Sequence, residues 1–243
     1  MIDFCKKTDN ARCIGIIVAM KKEGDDLIAL LSDAQTETVS GATYHSGYLN
    51  GNRVVITVGG VGKVFAAVAA EVMILRYCVS EILNVGVAGA LHDGFHLFDV
   101  AVIRSVVQHD MDTSAVGDPK GMISGINVIE IASDGSMTER LQGAVRRVGK
   151  TPISSSLASG DTFIADPARK AEIVAAFHSD VCDMEGAAIG QVCYINGIPF
   201  AEVKVISDGA DGDPSLDYAT FAAAAAKIGV EIASAFVGAT SGE

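Results

Sequence analysis

The chain has 243 residues, which is enough for one large α/β domain with a substantial buried core, and nothing in the composition requires a second domain. Apolar residues make up 49 % of the sequence, which excludes an intrinsically disordered chain. The formal net charge of −12, without a dense basic cluster, would repel a nucleic acid backbone and an anionic membrane surface, so neither is expected as a partner.

The cysteines indicate neither a disulfide framework nor a zinc site. They are odd in number, widely spaced and without a C-x-x-C pair: Cys5, Cys13, Cys78, Cys182 and Cys193. We expect reduced core residues in a cytoplasmic protein. The N-terminal apolar run ends in charged residues rather than in a cleavage site, and Lys227 and Glu231 interrupt the Ala-rich C-terminal segment. A signal peptide and a membrane span are therefore not predicted.

Short β-branched runs alternate with Ala-rich helical patterns, which is typical of an α/β fold. The predicted strands cover 13–20, 53–60, 81–90, 100–110, 155–161, 181–185 and 199–211. The predicted helices cover 64–77, 167–177 and 218–237, and a further helix ends at Asn196. We predict a single domain over 1–243, with a twisted, mixed central sheet flanked by helices and a flexible N-terminal extension over 1–12.

Three of these strands end in small or polar residues, in the stretches VGGVGK, NVGVAGA and VISDGAD. Ligands of α/β sheets bind beyond the carboxyl ends of strands, so these stretches are candidates for a site. The stretch CDMEGAAIG adds two carboxylates, Asp183 and Glu185, at another strand end. An extended segment would place both on one face, whereas in the first turn of a helix the backbone N–H groups would favour Glu185; the sequence leaves both open.

The turn GGVGK is not a nucleotide-binding loop. Thr57 and Val64 stand where a Walker loop needs Gly and a hydroxyl residue, and Phe65 replaces the third Gly of a dinucleotide fingerprint. A tight turn that packs a helix on its strand and a close approach to a ligand both remain open.

The histidines do not predict a metal site. His92 and His96 are separated by the turn signal Asp93-Gly94. The stretch QHDMD, residues 108–112, fits either a solvated loop or a polar site. No motif indicates a Ser or Cys nucleophile, so acid and base chemistry by carboxylates is favoured. The candidates at strand ends are Glu23, Asp183, Glu185 and Asp208.

Seven stretches in order resemble the 5′-methylthioadenosine/S-adenosylhomocysteine nucleosidases, within the wider purine nucleoside phosphorylase and nucleosidase superfamily. They are IGIIVAMKKE, GGVGK, NVGVAGA, VVQHDMD, SGDTFI, DMEGAAIGQVC and VISDGAD, and they extend from about Ile14 to the last helix. The resemblance implies the α/β fold, hydrolysis of a purine nucleoside, no metal or organic cofactor, and a homodimer in which the neighbour helps to close the 5′ pocket.

The resemblance also implies roles for individual residues. Glu23 would activate water and Asp208 would protonate the leaving purine, while Glu185 accepts hydrogen bonds from the ribose hydroxyls. Such roles suit a reaction that passes through an oxocarbenium-like sugar. The remaining expected substrate contacts are Met184 at the ribose, Phe163 and Ile164 at the base, Met20 and Tyr218 beside the sugar, and Val87, Ala88, Gly89, Asp183 and Ser207 around them.

The chain departs from the family pattern at several positions. Asp183 replaces a Glu, Val87 a small hydroxyl residue and Lys204 an Arg. The segment TSAVGDPKGMISG offers less aromatic cover for a 5′-alkylthio group, which leaves the 5′ substituent open, including a hydroxyl or a more polar group. The residues concerned are Thr113, Val116, Asp118 and Ser124.

Three alternatives stay open beside hydrolysis of methylthioadenosine and adenosylhomocysteine. Phosphorolysis would use phosphate instead of water, but no Arg stands between Gly15 and Gly24 to bind it. Another nucleoside, such as adenosine, inosine or aminofutalosine, would differ in its 5′ group or in its base, and the sequence settles neither. A nucleoside-binding protein without catalysis would keep the fold and lose turnover.

Overall fold

The β-branched runs of the sequence form one mixed sheet of ten strands. The protein is known from a computed structural model that describes residues 12–19, 21–208 and 214–239, with the side chains at 22, 23, 208 and 214–220 outside that description. The predicted extension over 1–12 therefore lies outside the described residues except for Arg12. The strands are β1 Cys13–Val18, β2 Ser32–Val39, β3 Ala42–Leu49, β4 Asn52–Val58, β5 Glu81–Ala90, β6 Val100–Gln108, β7 Glu130–Ala132, β8 Pro152–Ser159, β9 Val181–Asp183 and β10 Phe200–Asp208.

Five of the strands close into a ring. The order in the sheet is β10-β6-β8-β9-β5-β1-β4-β3-β2, and β10 also pairs with β5. The β5–β10, β6–β8 and β8–β9 pairs are parallel, while β6–β10 and β5–β9 are antiparallel. The ring of β5, β9, β8, β6 and β10 is thus a small barrel, and β1, β4, β3 and β2 extend from it as an open sheet.

Helices cover both sides of this sheet. They are α1 Lys21–Ile28, α2 Lys63–Tyr77, α3 Gly135–Arg147, α4 Pro167–Phe177, α5 Gly186–Asn196 and α6 Pro214–Gly238, and a single 3-10 turn covers Ser114–Val116. One core cluster lies under α2 and α5, and a second lies under α1, α3 and α6. The predicted fold class, a mixed central sheet flanked by helices, is confirmed.

Helix α6 resembles a membrane span only in composition. Its segment 221–238 is long and apolar enough to cross a bilayer, yet half of it is buried inside the protein, and no other described helix passes the same test. Ile232, Ala233 and Phe236 are fully buried in the core cluster shared with α3 and β10. We therefore interpret α6 as a core helix of the fold.

One prediction about the cysteines is wrong. Cys13, Cys182 and Cys193 are buried and form no disulfide, as expected, but Cys78 is disulfide-bonded. Cys78 ends α2 in the left-handed conformation, with φ 54° and ψ 43°, outside the regular core packing that the sequence led us to expect. The sequence analysis did not predict this disulfide because the sequence has no short Cys motif.

Candidate functional site

A cavity opens at the carboxyl ends of β1, β5, β9 and β10. This is the edge of the sheet at which the sequence predicted a site. Its lining includes nine of the predicted substrate contacts, among them Val87, Ala88 and Gly89 on β5, Phe163 and Ile164 on the loop after β8, and Met184 at the β9–α5 junction. Asp183, Glu185 and Ser207 line it as well, and Ala19, Val61, Asn84, Val85, Gly86, Thr162, Cys182 and Lys204 complete it.

Glu185 is held at this cavity by a backbone N–H group of a distant turn. It occupies the N-cap position of α5, with φ −131° and ψ −42°, but its side chain makes no cap hydrogen bond within the helix. Its Oε1 instead accepts a hydrogen bond of 2.8 Å from the N–H of Gly62, and the residue is only 9 % exposed. The carboxylate therefore has a fixed position beside the cavity.

The turn GGVGK serves this contact. Gly62 has φ 100°, a conformation that favours glycine, and it is the N-cap of α2. Its N–H faces the Glu185 carboxylate, where a phosphate-binding loop would face a phosphate. The turn therefore starts α2 on its strand, one of the two readings that the sequence left open, and also fixes Glu185; a close approach to a ligand stays a prediction.

Asp183 anchors the start of α5. Its carboxylate accepts hydrogen bonds from Ser159 Oγ and from the N–H of Gly186, the latter at 3.0 Å. Lys204 Nζ lies 2.7 Å from Asp183 Oδ2, and the two side chains are each 2 % exposed. The carboxylate thus stabilises the helix N-terminus and a buried ammonium at once, which fixes the turn that carries Met184 and Glu185.

A second buried carboxylate lies on the far side of Lys204. Glu202 Oε2 is 3.8 Å from Lys204 Nζ and accepts a hydrogen bond of 3.1 Å from Asn84 Nδ2. Burial raises the pKa of Glu202 to about 7, although Lys204 and Asn84 act to lower it. Burial also opposes the charge of Lys204, but the nearby carboxylates outweigh burial, and the pKa of Lys204 is raised overall.

Sequence reasoning missed Glu202 and noted Lys204 only as a departure from a family pattern. Both stand in the run FAEVKVIS, which otherwise indicates a buried strand. The available signal was their spacing, because residues two apart in a strand project to the same face. A Glu and a Lys on one face of a buried strand predict a buried ion pair.

The stretch QHDMD forms a polar network with Lys63 of the turn GGVGK and with Asp161. Asp110 Oδ1 is 2.6 Å from Lys63 Nζ, and Asp110 Oδ2 accepts a hydrogen bond from the N–H of Asp161. Burial alone would raise the pKa of Asp110, but these donors lower it overall. His109 is buried, which lowers its pKa. In the part of the chain that the structure describes, no cluster of His, Cys, Asp and Glu is arranged to hold a metal.

Four predicted residues fall partly or wholly outside the described structure. Met20 lies outside it, and so do the side chains of Glu23, Asp208 and Tyr218. Their chain positions are nevertheless informative: Glu23 is in the first turn of α1, directly after β1, and Asp208 is the last residue of β10, paired with Gly89. Ala19, the residue before Met20, lines the cavity. The backbone thus brings β1, β9 and β10 to one edge.

Known proteins share this architecture along nearly the whole chain. The sequence profile of the phosphorylase superfamily matches residues 13–238. A 5′-methylthioadenosine/S-adenosylhomocysteine nucleosidase from Shewanella loihica is 35 % identical over 210 residues, which cover 86 % of this chain and 91 % of the relative.

Two solved structures share the fold of this chain over nearly its whole length. The 5′-methylthioadenosine/S-adenosylhomocysteine nucleosidase from Neisseria meningitidis, in complex with methylthio-immucillin-A, aligns with a TM-score of 0.89 and 29 % identity, covering 93 % of this chain and 99 % of that one. The native futalosine hydrolase of Helicobacter pylori aligns with a TM-score of 0.89 and 28 % identity, covering 93 % and 97 %. The chain therefore belongs to the phosphorylase superfamily and, within it, to the family of the 5′-methylthioadenosine/S-adenosylhomocysteine nucleosidases.

Proposed function

We propose that this protein hydrolyses the N-glycosidic bond of adenine nucleosides, most readily 5′-methylthioadenosine and S-adenosylhomocysteine. The products would be adenine and a 5-thioribose derivative that can enter methionine salvage. The observation that carries the proposal is the Glu185 carboxylate, buried and held by the Gly62 N–H beside a cavity at the carboxyl ends of the strands. A carboxylate fixed in this way can accept hydrogen bonds from two adjacent ribose hydroxyls.

The reaction needs an acid and a base on opposite faces of the sugar. We assign protonation of the departing purine to Asp208 at the end of β10 and activation of water to Glu23 in α1. Glu185 strengthens its hydrogen bonds to the ribose as positive charge grows on the ring. Phe163 and Ile164, which line the cavity, would bind the base, and Met184 would lie against the ribose. Met20 and Tyr218 are assigned to the border of the sugar.

Water is favoured over phosphate as the nucleophile. Lys204 is the one Lys or Arg among the described residues that line the cavity, and its ammonium is already 2.7 Å from Asp183. Phosphate recognition usually takes arginines that donate two hydrogen bonds. Adenine release measured with and without added phosphate tests this assignment: an equal rate supports hydrolysis, and a strict requirement for phosphate would refute it.

A nucleoside with a polar 5′ group is the second candidate substrate. In the segment that the family uses near the 5′ group, Thr113 and Ser124 donate hydrogen bonds to Asp118 at 2.8 and 3.1 Å, and Val116 is the exposed apolar residue between them. The Helicobacter pylori neighbour is named a futalosine hydrolase. The ratio of kcat/KM for methylthioadenosine, adenosylhomocysteine, adenosine, inosine and aminofutalosine decides between the candidates.

We further propose a homodimer that associates through the outer faces of α2 and α5. These two packed helices carry large apolar side chains that are more than a third exposed: Val64, Phe65, Val68, Leu75, Tyr194 and Ile195. Exposed apolar surface of this kind marks interaction sites. Sedimentation at several protein concentrations measures the assembly.

A cytoplasmic location is also proposed, supported by the buried thiols of Cys13 and Cys193, which form no disulfide. The disulfide at Cys78 is the observation that counts against it. Cell fractionation followed by detection of the protein in the soluble fraction tests the location.

A further inference from the structure

A buried charge cluster lies under the floor of the cavity, and the proposed roles of Glu23, Glu185 and Asp208 do not use it. Lys204 reaches the cavity, while Glu202 lies behind it with its side chain 0 % exposed. We propose that Glu202 is a positioning residue, which holds Lys204 between two carboxylates and keeps the floor of the cavity net negative as positive charge develops on the sugar. This inference rests on the proposed hydrolysis and adds a residue to it.

The charges of the cluster support this role. Lys204 supplies one positive charge, and Asp183 at 2.7 Å and Glu202 at 3.8 Å supply two negative charges. With Glu202 ionised the cluster therefore carries a net charge of −1, and with Glu202 protonated it is neutral. Charges act strongly in a buried site because water does not screen them. An oxocarbenium-like sugar above a negative floor is stabilised, whereas an unbalanced ammonium would repel it.

Glu202 is a destabilising residue at a position where an apolar side chain would pack well. Its Oε1 has no hydrogen-bond partner among the described residues, and its neighbours on β10 are buried Ala201 and Val203. A buried carboxylate with an unpaired oxygen destabilises a fold relative to an apolar side chain of similar size. Its presence at the floor of a cavity is therefore better explained by function than by stability.

The surrounding structure is built around this carboxylate. A Cβ atom at Gly186 would overlap with Glu202 Oε2, so the first residue of α5 must be a glycine for the helix to start here. The amide of Asn84 on β5 donates to the same oxygen. Strands β5 and β10 and the start of α5 thus fix the Glu202 side chain, and through Lys204 and Asp183 they fix the turn that carries Glu185.

The ionisation of Glu202 falls in the neutral range. Burial, with smaller contributions from Asp183 and Glu185, raises its pKa to about 7 against the effects of Lys204 and Asn84. The titratable groups that face it are Lys204 on β10, Asp183 on β9, and Glu185 and Cys193 at α5. As the pH falls through about 7, protonation removes the negative charge of the floor, so kcat should fall with it.

The test compares adenine release from methylthioadenosine by the wild type, Glu202→Gln and Glu202→Asp between about pH 5.5 and 8.5, a range that lies above an ordinary carboxyl pKa and brackets the raised pKa of about 7. We expect Glu202→Gln to lower kcat at pH 8 by about tenfold or more and to change KM less than about twofold. The fall of kcat near pH 7 should be absent from the pH profile of this variant. Glu202→Asp keeps the negative charge, so its kcat should still fall near pH 7. Limbs that arise from Glu23 or Asp208 remain in every variant, so only the difference between variants reports Glu202.

A matched control separates this role from a structural one. Glu81 is a buried carboxylate at the start of β5 that pairs with Arg12 and Arg140 away from the cavity, and Glu81→Gln should lower the melting temperature while leaving the pH profile unchanged. A Glu202→Gln variant with wild-type kcat and pH profile would overturn the inference. If that variant does not fold, a wild-type profile that is flat between about pH 6 and 8 would overturn it too. A wild type that releases no adenine from any of the five nucleosides would instead refute the proposed function, and the role of Glu202 with it.

Discussion

Glu185 is the residue on which the proposed site depends most directly. Because its Oε1 accepts from the N–H of Gly62, replacing it by Gln keeps an acceptor for that donor and removes only the charge. We expect Glu185→Gln to lower kcat/KM by about 100-fold or more, since a hydrogen bond to the ribose that strengthens in the transition state would lose its ionic character. Adenine release under initial-rate conditions measures the effect.

The control for this substitution is Glu71→Gln. Glu71 lies on α2 and accepts a hydrogen bond from Asn196 of α5, so it belongs to the same helix pair without touching the cavity. Its loss should leave kcat/KM within about twofold of the wild type. Equal effects of Glu185→Gln and Glu71→Gln on kcat/KM would show that Glu185 is not part of the site.

Glu23 distinguishes an enzyme from a binding protein. If it activates water, Glu23→Gln should abolish turnover, with kcat reduced by about 1,000-fold or more, and should leave the affinity for adenosine derivatives nearly unchanged. Calorimetric titration of the variant together with adenine release by the wild type provides both measurements. A wild type that binds these nucleosides without turnover would identify a nucleoside-binding protein.

At the scale of elements, most of the sheet was predictable because its strands are β-branched runs with glycines at their ends. The strands predicted over 53–60, 81–90 and 100–110 correspond to β4, β5 and β6 with small differences at the ends. The hairpin of β2 and β3 was missed, since SDAQTETV is polar and almost entirely exposed and so lacks the alternation that marks a half-buried strand. Its pairing with β3 and β4 decides its conformation.

The same contrast holds for the candidate site. Motifs at strand ends located Val87, Glu185 and Phe163 at one cavity, because β5, β8 and β9 are neighbours in the barrel and bring distant segments together. The hydrogen bond from Gly62 to Glu185 was not predictable, since it joins residues 123 positions apart whose register depends on the packing of α2 against α5. The cluster at Lys204 depends in the same way on strand pairing across the barrel.

Helix α3 lies in a part of the chain for which the sequence analysis made no prediction, and its start depends on one cap. Asp134 is its N-cap, and the Asp134 carboxylate accepts a hydrogen bond of 2.8 Å from the N–H of Met137. We expect Asp134→Ala to lower the free energy of unfolding by about 1 kcal/mol, because that N–H group would lose its partner. Urea denaturation measures the change.

The cap of α4 offers a comparison within the same protein. Asp166 caps α4 through the N–H of Ala168 at 3.0 Å, with a proline at the first helical position. Asp166→Ala should cost a similar amount or less, as the proline already favours the start of the helix. An Asp134→Ala variant as stable as the wild type would show that α3 is held by its packing alone.

For the whole molecule, stability should depend on pH in two separate windows. The pKa of Glu202 is raised by burial to about 7, so the stability linked to its protonated form is present below its ordinary value near 4.5 and is lost as the pH rises to about 7. Burial alone would raise the pKa of Asp180, but the N–H of Ser156 and the side chains of His92, Ser156 and Arg104 lower it. The stability linked to Asp180 is therefore present above about 3.8 and is lost as the pH falls below that value.

Melting temperatures of the wild type and Glu202→Gln between about pH 3 and 8 test these signs, because that range covers the ordinary carboxyl pKa and the raised pKa of Glu202. The two proteins should share the acid limb and differ above about pH 5, where the wild type loses stability relative to the variant. An identical curve for both would show that Glu202 does not titrate in the folded protein over this range.

The proposed assembly makes its own prediction at this scale. Phe65 is 61 % exposed on the outer face of α2, so Phe65→Asp should place a charge in the interface and shift the protein from dimer to monomer in sedimentation experiments. Leu30→Asp is the matched control, because Leu30 is 51 % exposed beyond α1 and away from α2 and α5. Two variants that sediment like the wild type would place the interface elsewhere.

The hydrogen bond from Gly62 to Glu185 joins that outer face to the chemistry inside. Gly62 is the N-cap of α2, close in sequence to the exposed side chains of Val61 and Val64, and its N–H fixes the Glu185 carboxylate, which we propose binds the ribose. Association of two subunits through this helix would therefore stabilise the position of the Glu185 carboxylate. Dissociation on dilution would make that position less well defined. We therefore expect the specific activity to decline on dilution in parallel with dissociation of the dimer, because the Gly62 N–H lies near the proposed interface and also fixes Glu185.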